Sequence, residues 1–240
     1  MSRRRNQVLG WSLALAAMAA FSALGVWQLE RMRAKRAMLA DVELTLSTRD
    51  PRPLALAGQQ ARSDRYDWAA GTGRFLEAPA ILLDNQQRNG RPGVLAYRVF
   101  ASEDGATLLV ELGWLPLDGA RVLPRVPQPL GRMRIRGLLV PPPSPGLATP
   151  VVAPRDVGLL ATALDAGLLA TALDLPALPP RVLKLDPALP IGYARDLDIL
   201  PNTLPPERHL GYAVQWFALA LAVLVTALVL SLRKPRQRRQ

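Results

Sequence analysis

The stretch YAVQWFALALAVLVTALVLSL, from Tyr212 to Leu232, contains no charged residue. About 20 apolar residues in a helix cross the hydrocarbon core of a bilayer, so this stretch is long enough to do so. A second charge-free stretch, VLGWSLALAAMAAFSALGVWQL, runs from Val8 to Leu29. A cleaved signal peptide is the alternative for this stretch, but a signal's apolar region usually has about 7–15 residues. We therefore predict two transmembrane helices, at residues 8–29 and 210–232.

Basic residues beside the two stretches predict how the chain is oriented. Arginine and lysine near short loops tend to stay in the cytoplasm, and they are concentrated in residues 1–7 and 233–240. We expect these segments to be cytoplasmic tails and residues 30–209 to form one extracytoplasmic domain. Basic residues between Arg31 and Arg36 oppose this orientation, but long translocated domains often override local charge. With no Ser-rich transit segment before the first stretch, we expect a bacterial inner-membrane protein with a periplasmic domain.

The composition excludes several classes of function. The 240 residues include no cysteine and a single histidine, His209, which is too few ligands for a zinc, iron–sulfur or multi-histidine copper site. The net charge of +11 lies mostly in the tails, so nucleic acid is not an expected partner. The sequence has neither a nucleophile elbow nor a phosphate-binding glycine loop. We expect a protein that is not an enzyme.

The middle of the chain is typical of a β-rich domain. After the first stretch a helix is predicted to continue to Ser47, before Pro51 and Pro53 end it. Short apolar runs separated by turn residues then predict strands. They lie at residues 66–77, 81–87, 94–101, 107–115 and 132–140, with turns at 89–93, 103–105 and 118–119. Overall we predict a membrane α+β protein: two transmembrane helices flanking a mainly antiparallel β domain, a small barrel or sandwich, with one or two short helices.

The second half of the domain contains a tandem repeat. GLLATALD occurs at residues 158–165 and again at 167–174. A nine-residue period turns the second copy by about 180° in a helix, so one long helix would be apolar on both sides. We predict that one copy forms a packed helix and that the other is a recent local duplication or a loop. Residues 141–145 predict a proline-rich linker, and residues 181–185 and 197–200 are candidates for added strands.

Polar and aromatic residues mark the outer end of each predicted span. His209, Tyr212 and Trp216 are spaced i, i+3, i+7, which places them on one face of a helix. On the first helix, Gly25, Trp27, Gln28 and Arg31 lie at the matching depth. An aromatic belt at the membrane interface is the alternative explanation for the aromatic residues. The functional hypothesis is a single site for a flat, largely apolar ligand.

These two blocks resemble a known family. The first is Gly25-Val-Trp-Gln-Leu with Arg31 and Lys35, and the second runs from Pro205 through His209 and Trp216 to Ala220. They are similar to the signature blocks of the surfeit locus protein 1 family of cytochrome c oxidase assembly factors. Val110-Glu-Leu-Gly-Trp114 echoes a further motif, but Glu111 and Leu112 replace the family's Asn and Arg. The chain resembles a divergent bacterial member.

The resemblance implies a chaperone-like role in respiratory chain biogenesis, in which haem a is delivered to, or held for, the oxidase. The expected partners are the catalytic subunit of cytochrome c oxidase, haem a synthase and membrane lipid. By this resemblance His209 is an axial ligand of the haem iron, and Tyr212 and Trp216 line the macrocycle, near Trp27 and Gln28. We infer separately that Arg208 or Arg31 meets the propionates. Two alternatives remain: a scaffold that holds oxidase subunits without binding haem, and an unrelated envelope-anchored binding domain.

Overall fold

The computed structural model describes residues 3–117, 119, 122–143, 149–199 and 204–232. These residues form two compact units. One unit comprises the two ends of the chain, Met1–Ala40 and Asn202–Gln240, and the other is Asp41–Pro201. The predicted basic tail at residues 233–240 lies outside the described residues.

The unit formed by the chain ends is a pair of helices, α1 (Arg3–Thr48, whose last residues belong to the other unit) and α3 (Pro206–Leu232). Trp11 donates a hydrogen bond to Ser231, and Phe21 stacks on Trp216, so the two helices run antiparallel. A Cβ on Gly25 would lie 2.7 Å from the Phe217 ring, so the glycine allows a close approach of the helices.

Both helices are long and apolar enough to cross a membrane. Within the two charge-free stretches only Gly25 and Ala213 are buried among the described side chains. Apolar surface left exposed to this extent on a soluble protein would be unusual, whereas it is expected of helices that face lipid. The predicted apolar helices are therefore present, and their insertion in a membrane stays a prediction.

The helix α1 ends close to the predicted position. Its last helical residue is Thr48, and Arg49 follows with a positive φ of 47°. Pro51 and Pro53 come next and cannot continue the helix, because proline lacks the backbone N–H. The backbone of Arg52 then pairs with Ala69 as an isolated bridge.

The second unit is built on one eight-stranded sheet with a short helix, α2 (Ala166–Ala172). Its strands, in chain order, are β1 (Asp67–Phe75), β2 (Ile81–Arg88), β3 (Arg91–Ser102), β4 (Thr107–Pro116), β5 (Met133–Val140), β6 (Val152–Arg155), β7 (Gly158–Ala161) and β8 (Val182–Leu185). The strand order is β1-β5-β8-β4-β3-β2-β7-β6, and β1 also pairs with β3.

The sheet corrects part of the predicted fold class. The five predicted strands are confirmed as β1 to β5, and residues 181–185 supply β8. However, β2–β7 and β4–β8 are parallel pairs, so the sheet is mixed, although most of its strand pairs are antiparallel as predicted. The reason is that β7 and β8 are short segments from the second half of the chain, added beside strands of the first half.

Smaller predictions are also corrected. Residues 91–93 begin β3 instead of lying in the turn, which contains Asn89 and Gly90. Residues 197–199 form no strand. Asp118, Leu200 and residues 144–145 of the predicted linker lie outside the described residues.

The tandem repeat adopts two different structures. The first copy supplies β7 and a short loop that ends at Asp165, whereas the second copy forms nearly all of α2. The prediction of one helical copy is confirmed, and the prediction of a loop for the other is wrong for its first half. The strand pairs on one side with β2, from a distant part of the sequence, which is why local sequence did not reveal it.

The sheet is packed on both faces. In β2, Ile81 and Leu83 join one apolar cluster while Leu82 joins the other, as expected when successive side chains point to opposite faces. Arg181 is fully buried in this core and donates to Asp67 over 2.6 Å. Burial alone would raise the pKa of Asp67, but hydrogen bonds from Arg62 and Arg181 outweigh it and hold the pKa below its usual range.

Candidate functional site

The helix pair brings the single histidine against a residue of the first helix. His209 lies in the first turn of α3 and is buried, with 7% of its surface exposed. Its Nδ1 lies 2.8 Å from Oε1 of Gln28 in α1. The other ring nitrogen, Nε2, is buried and has no hydrogen-bond partner among the described residues.

The Gln28 contact favours a proton on Nδ1 of His209. An amide oxygen only accepts hydrogen bonds, so Nδ1 is the protonated nitrogen of a neutral ring in this arrangement. The lone pair is then on Nε2. A histidine whose Nδ1–H is held by an oxygen acceptor, with Nε2 left free, has the arrangement seen in metal-ligating imidazoles.

Basic side chains surround the same end of the helix pair. Lys35 of α1 donates to the backbone carbonyl of Leu204, just before α3 begins. Arg36 lies 3.9 Å from Glu207, with both side chains exposed. Arg31 and Arg208 are exposed and form no side-chain hydrogen bond or ion pair with the residues that the structure describes. This end of the unit therefore has positive charge available for an anionic group.

The aromatic residues of the predicted site are not all on the packed side of the helices. Trp216 is half-buried and stacks on Phe21, with ring centroids 5.7 Å apart. Tyr212 is 38% exposed and Trp27 is 50% exposed. Thus His209, Gln28 and Trp216 lie in or beside the contact between the helices, and Tyr212 and Trp27 lie on its outside.

Two aromatic residues of this contact were missed from the sequence. Phe21 stacks on Trp216, and Phe217 covers Gly25. An aromatic ring in an apolar run is as suitable for lipid as for a helix partner, so neither residue stood out. The small residue Gly25 was the available signal, because a glycine in such a helix often marks the close approach of another helix.

The β-rich unit shows what Glu111 and Leu112 do at the positions where the family has Asn and Arg. Glu111 is buried in β4, where the Tyr97 hydroxyl donates to it over 3.0 Å and the Lys184 ammonium lies 3.4 Å away. Burial and the nearby Glu111 carboxylate raise the pKa of Tyr97 well above its usual range. Leu112 points into the opposite apolar cluster. In this chain the two positions therefore serve the core of the sheet.

Other ligand sets for a metal are lacking in the part of the chain that the structure describes. No three histidine, cysteine, aspartate or glutamate side chains come together there in a way that would hold an ion.

Comparison with protein families gives a match over most of the chain. The family model described as the SURF1 family matches residues 15–221, which include both signature blocks. The chain belongs to the SURF1 family. No individual curated protein matches it. The family is generally linked to cytochrome c oxidase assembly, and it is a family of assembly factors and not a known class of enzymes.

Proposed function

We propose that this SURF1 family member holds haem a for the maturing cytochrome c oxidase at the helix pair, with Nε2 of His209 as the axial ligand. The observation that carries the proposal is the buried Nε2, which has no hydrogen-bond partner in the described part of the chain, on a ring whose Nδ1 is held by Gln28. A buried polar atom that lacks a hydrogen bond lowers the stability of the fold by about 1–3 kcal/mol. The presence of such an atom therefore calls for an explanation.

The donor chemistry of the chain fits a haem iron bound through one protein nitrogen. His209 is the only histidine in the sequence, and the sequence contains no cysteine. Gln28 would keep the lone pair on Nε2 and fix the plane of the ring. Because Nε2 is buried, binding requires the side chains packed around His209 to move aside.

The surroundings of His209 match the other parts of haem a. Two propionates call for cations, and Arg31, Arg208 and Lys35 lie at this end of the helix pair. The farnesyl tail prefers an apolar medium, and exposed aromatic side chains are present at Trp27 and Tyr212. The role of the chain's residues is thus to bind and orient the cargo, and we propose no catalytic step.

The proposal extends to where the protein works. The haem would come from haem a synthase and pass to the catalytic subunit of the oxidase, in the bacterial inner membrane. The helices would cross the membrane with both termini in the cytoplasm and the β-rich unit in the periplasm. The charge-free stretches and their basic flanks support this topology.

The spectrum of the purified full-length protein tests the ligand. The protein is produced in cells that make haem a and purified in detergent, and its Soret band is compared with that of variants. His209→Ala should abolish or shift the band while the amount of protein in the membrane is kept. Gln28→Ala should shift the band or speed haem loss, because the ring is no longer held.

A matched control is available at the other end of the helix pair. Trp11→Phe removes the hydrogen bond to Ser231, also between α1 and α3, and should leave the Soret band unchanged. An unaltered band in the His209→Ala protein contradicts the proposed ligation. A colourless wild-type protein that still co-purifies with the oxidase would favour a scaffold without haem.

A deletion strain tests the cellular role separately. Cells lacking the protein should lose oxidase activity that depends on haem a, while the haem a content of the membrane remains. Normal oxidase activity and spectrum in a clean deletion, with no second family member in the genome, would contradict the assembly role.

A further inference from the structure

A cavity of about 530 Å³ on the β-rich unit is lined by three arginine side chains and by no acidic residue. Arg134 and Arg136 extend from β5, and Arg49 follows the end of α1. The other lining residues are apolar and include Ala70 and Leu189. Three guanidinium groups around one cavity repel one another unless anions lie close to them.

Among the residues that the structure describes, only Arg136 of the three arginines has an acidic partner. The Nε of Arg136 lies 2.6 Å from Oδ2 of Asp186, whose side chain is 2% exposed. Burial would raise the pKa of Asp186, but bonds from the Ala188 amide and Arg136, with the charge of Arg49, keep it below its usual range. The carboxylate is therefore negative at neutral pH, and the three arginines together with Asp186 carry a net charge of +2.

Arg49 is held in place by contacts other than an ion pair with any acidic residue that the structure describes. Its guanidinium lies 4.9 Å from the centre of the Trp68 ring, and its Nε donates to the carbonyl of Leu46 over 3.1 Å. The residue also has a left-handed backbone conformation, which is uncommon for a side chain of this kind. These contacts leave the two terminal nitrogens of Arg49 available for a ligand.

Arg134 is free in a row of arginines whose other members are paired. Arg132 donates to Glu103 over 2.8 Å, and Arg136 is bound to Asp186. Arg134, between them on the same face of β5, forms no hydrogen bond or ion pair with the described residues. The residues opposite Arg134 and Arg136 on β1 are Thr72 and Ala70, whose small side chains leave room above the strand.

We propose that this cavity binds a phosphate monoester. Arginine forks bind phosphate oxygens in pairs, and a tetrahedral phosphate offers oxygens to several forks at once. A monoester carries about two negative charges at neutral pH, which balances Arg49 and Arg134 together. The apolar wall at Ala70 and Leu189 faces the organic part, so an ester fits better than inorganic phosphate. The monoester is either a small soluble metabolite or the headgroup of a phosphatidic acid.

Titration calorimetry of the full-length protein in nonionic detergent tests the site. The probes are glycerol 3-phosphate and dihexanoyl phosphatidic acid, and each should bind the wild type. Arg134→Gln should weaken binding at least about tenfold, because a hydrogen bond to a charged group is lost. Arg132→Gln removes the same charge two residues away, outside the cavity, and should change affinity less than about twofold.

The relative affinity of the two probes identifies the source of the phosphate. Tighter binding of phosphatidic acid indicates a lipid headgroup, and tighter binding of glycerol 3-phosphate indicates a soluble ester. The proposal is overturned if neither probe binds, if succinate binds more tightly than both, or if the two variants lose affinity equally. No haem is needed for this experiment, so its result does not depend on the proposed function.

Discussion

The two copies of GLLATALD have the same eight residues and fold differently. In the first copy Leu159 and Ala161 are buried beside β2, whereas in the second Leu169, Ala170 and Leu173 are buried beneath α2. The first pattern has the two-residue period of a strand and the second has the period of a helix. The sequence satisfies both periods, so its own preferences do not choose between them.

Contacts outside the repeat decide the structure of the first copy. β7 forms a hairpin with β6 through the turn at Asp156 and Val157, and it pairs on its other side with β2. Every backbone group of a strand between two neighbours can be hydrogen-bonded, which an eight-residue helix alone does not achieve. Pairing across the sheet therefore outweighs the helix propensity of Leu and Ala.

The second copy pairs with no strand among the described residues, and the last residue of the first copy starts it as a helix. Asp165, the last residue of the first copy, caps α2 by accepting a hydrogen bond from the Leu168 amide over 2.8 Å. An aspartate, Asp156, also precedes the first copy, yet no helix follows it. A capping residue thus permits a helix without requiring one.

The largest expected effect is on the free energy of unfolding, because a different leucine of the repeat is buried in each copy. Leu159→Ala and Leu169→Ala should each lower the free energy of unfolding by about 2–5 kcal/mol, because both side chains are buried. Leu168 is equivalent to Leu159 but is 45% exposed, so Leu168→Ala should cost less than about 0.5 kcal/mol. Urea denaturation of the detergent-solubilised protein measures the differences. Equal losses at Leu159 and Leu168 would contradict the assigned structures.

The next largest effect is a difference in stability between variants of the two aspartates that precede the copies, Asp165 and Asp156. Asp165→Ala removes the cap of α2 and should cost about 1 kcal/mol. Asp156→Ala changes an exposed turn residue and should cost less than about 0.5 kcal/mol. The same denaturation experiment applies, with Asp165→Asn as the variant that keeps a capping oxygen and most of the stability. If Asp165→Asn were as unstable as Asp165→Ala, the cap would not be the cause.

The difference between the copies also shows which parts of the fold the sequence predicts. The charge-free helices and β1 to β5 were predicted because length, alternation and turn residues are local signals. β7 and the parallel pairs were not, because they depend on which distant strand offers a free edge. Likewise, the pairing of Glu111 with Lys184 joins two strands far apart in the sequence.

In the candidate site, too, some features follow from local sequence and others depend on packing between distant segments. The depth of Gln28 and His209 on two antiparallel helices follows from counting residues, and the structure places them in contact. Two features of the site depend on how the helices are rotated about their axes: Nε2 of His209 lacks a partner among the residues described, and Phe21 stacks on Trp216. No pattern within either helix fixes that rotation.

A smaller effect of opposite sign is expected at the end of the second copy. Asp174 follows α2 with a positive φ of 53°, a conformation that glycine adopts at no steric cost. Asp174→Gly should therefore raise the free energy of unfolding by about 0.5 kcal/mol. The equivalent change, Asp165→Gly, meets a residue with a φ of −88° and removes a side-chain cap, so it should bring no gain. A loss of stability in Asp174→Gly, seen as a lower denaturation midpoint, would contradict this account.

The smallest effect tests whether the residue before each copy chooses its structure. The sequences are DVGLLATALD for the first copy and DAGLLATALD for the second, so Ala166→Val makes the two segments identical. Valine is a poorer helix former than alanine by about 0.5 kcal/mol, which is less than the burial of Leu169 contributes. We therefore expect α2 to remain a helix, with a loss of stability of at most about 0.5 kcal/mol. Cα chemical shifts of Leu168 and Leu169 report the helix directly, and the reciprocal Val157→Ala should leave β7 a strand. Conversion of either copy by its single change would show that local sequence, and not pairing with β2, sets the difference.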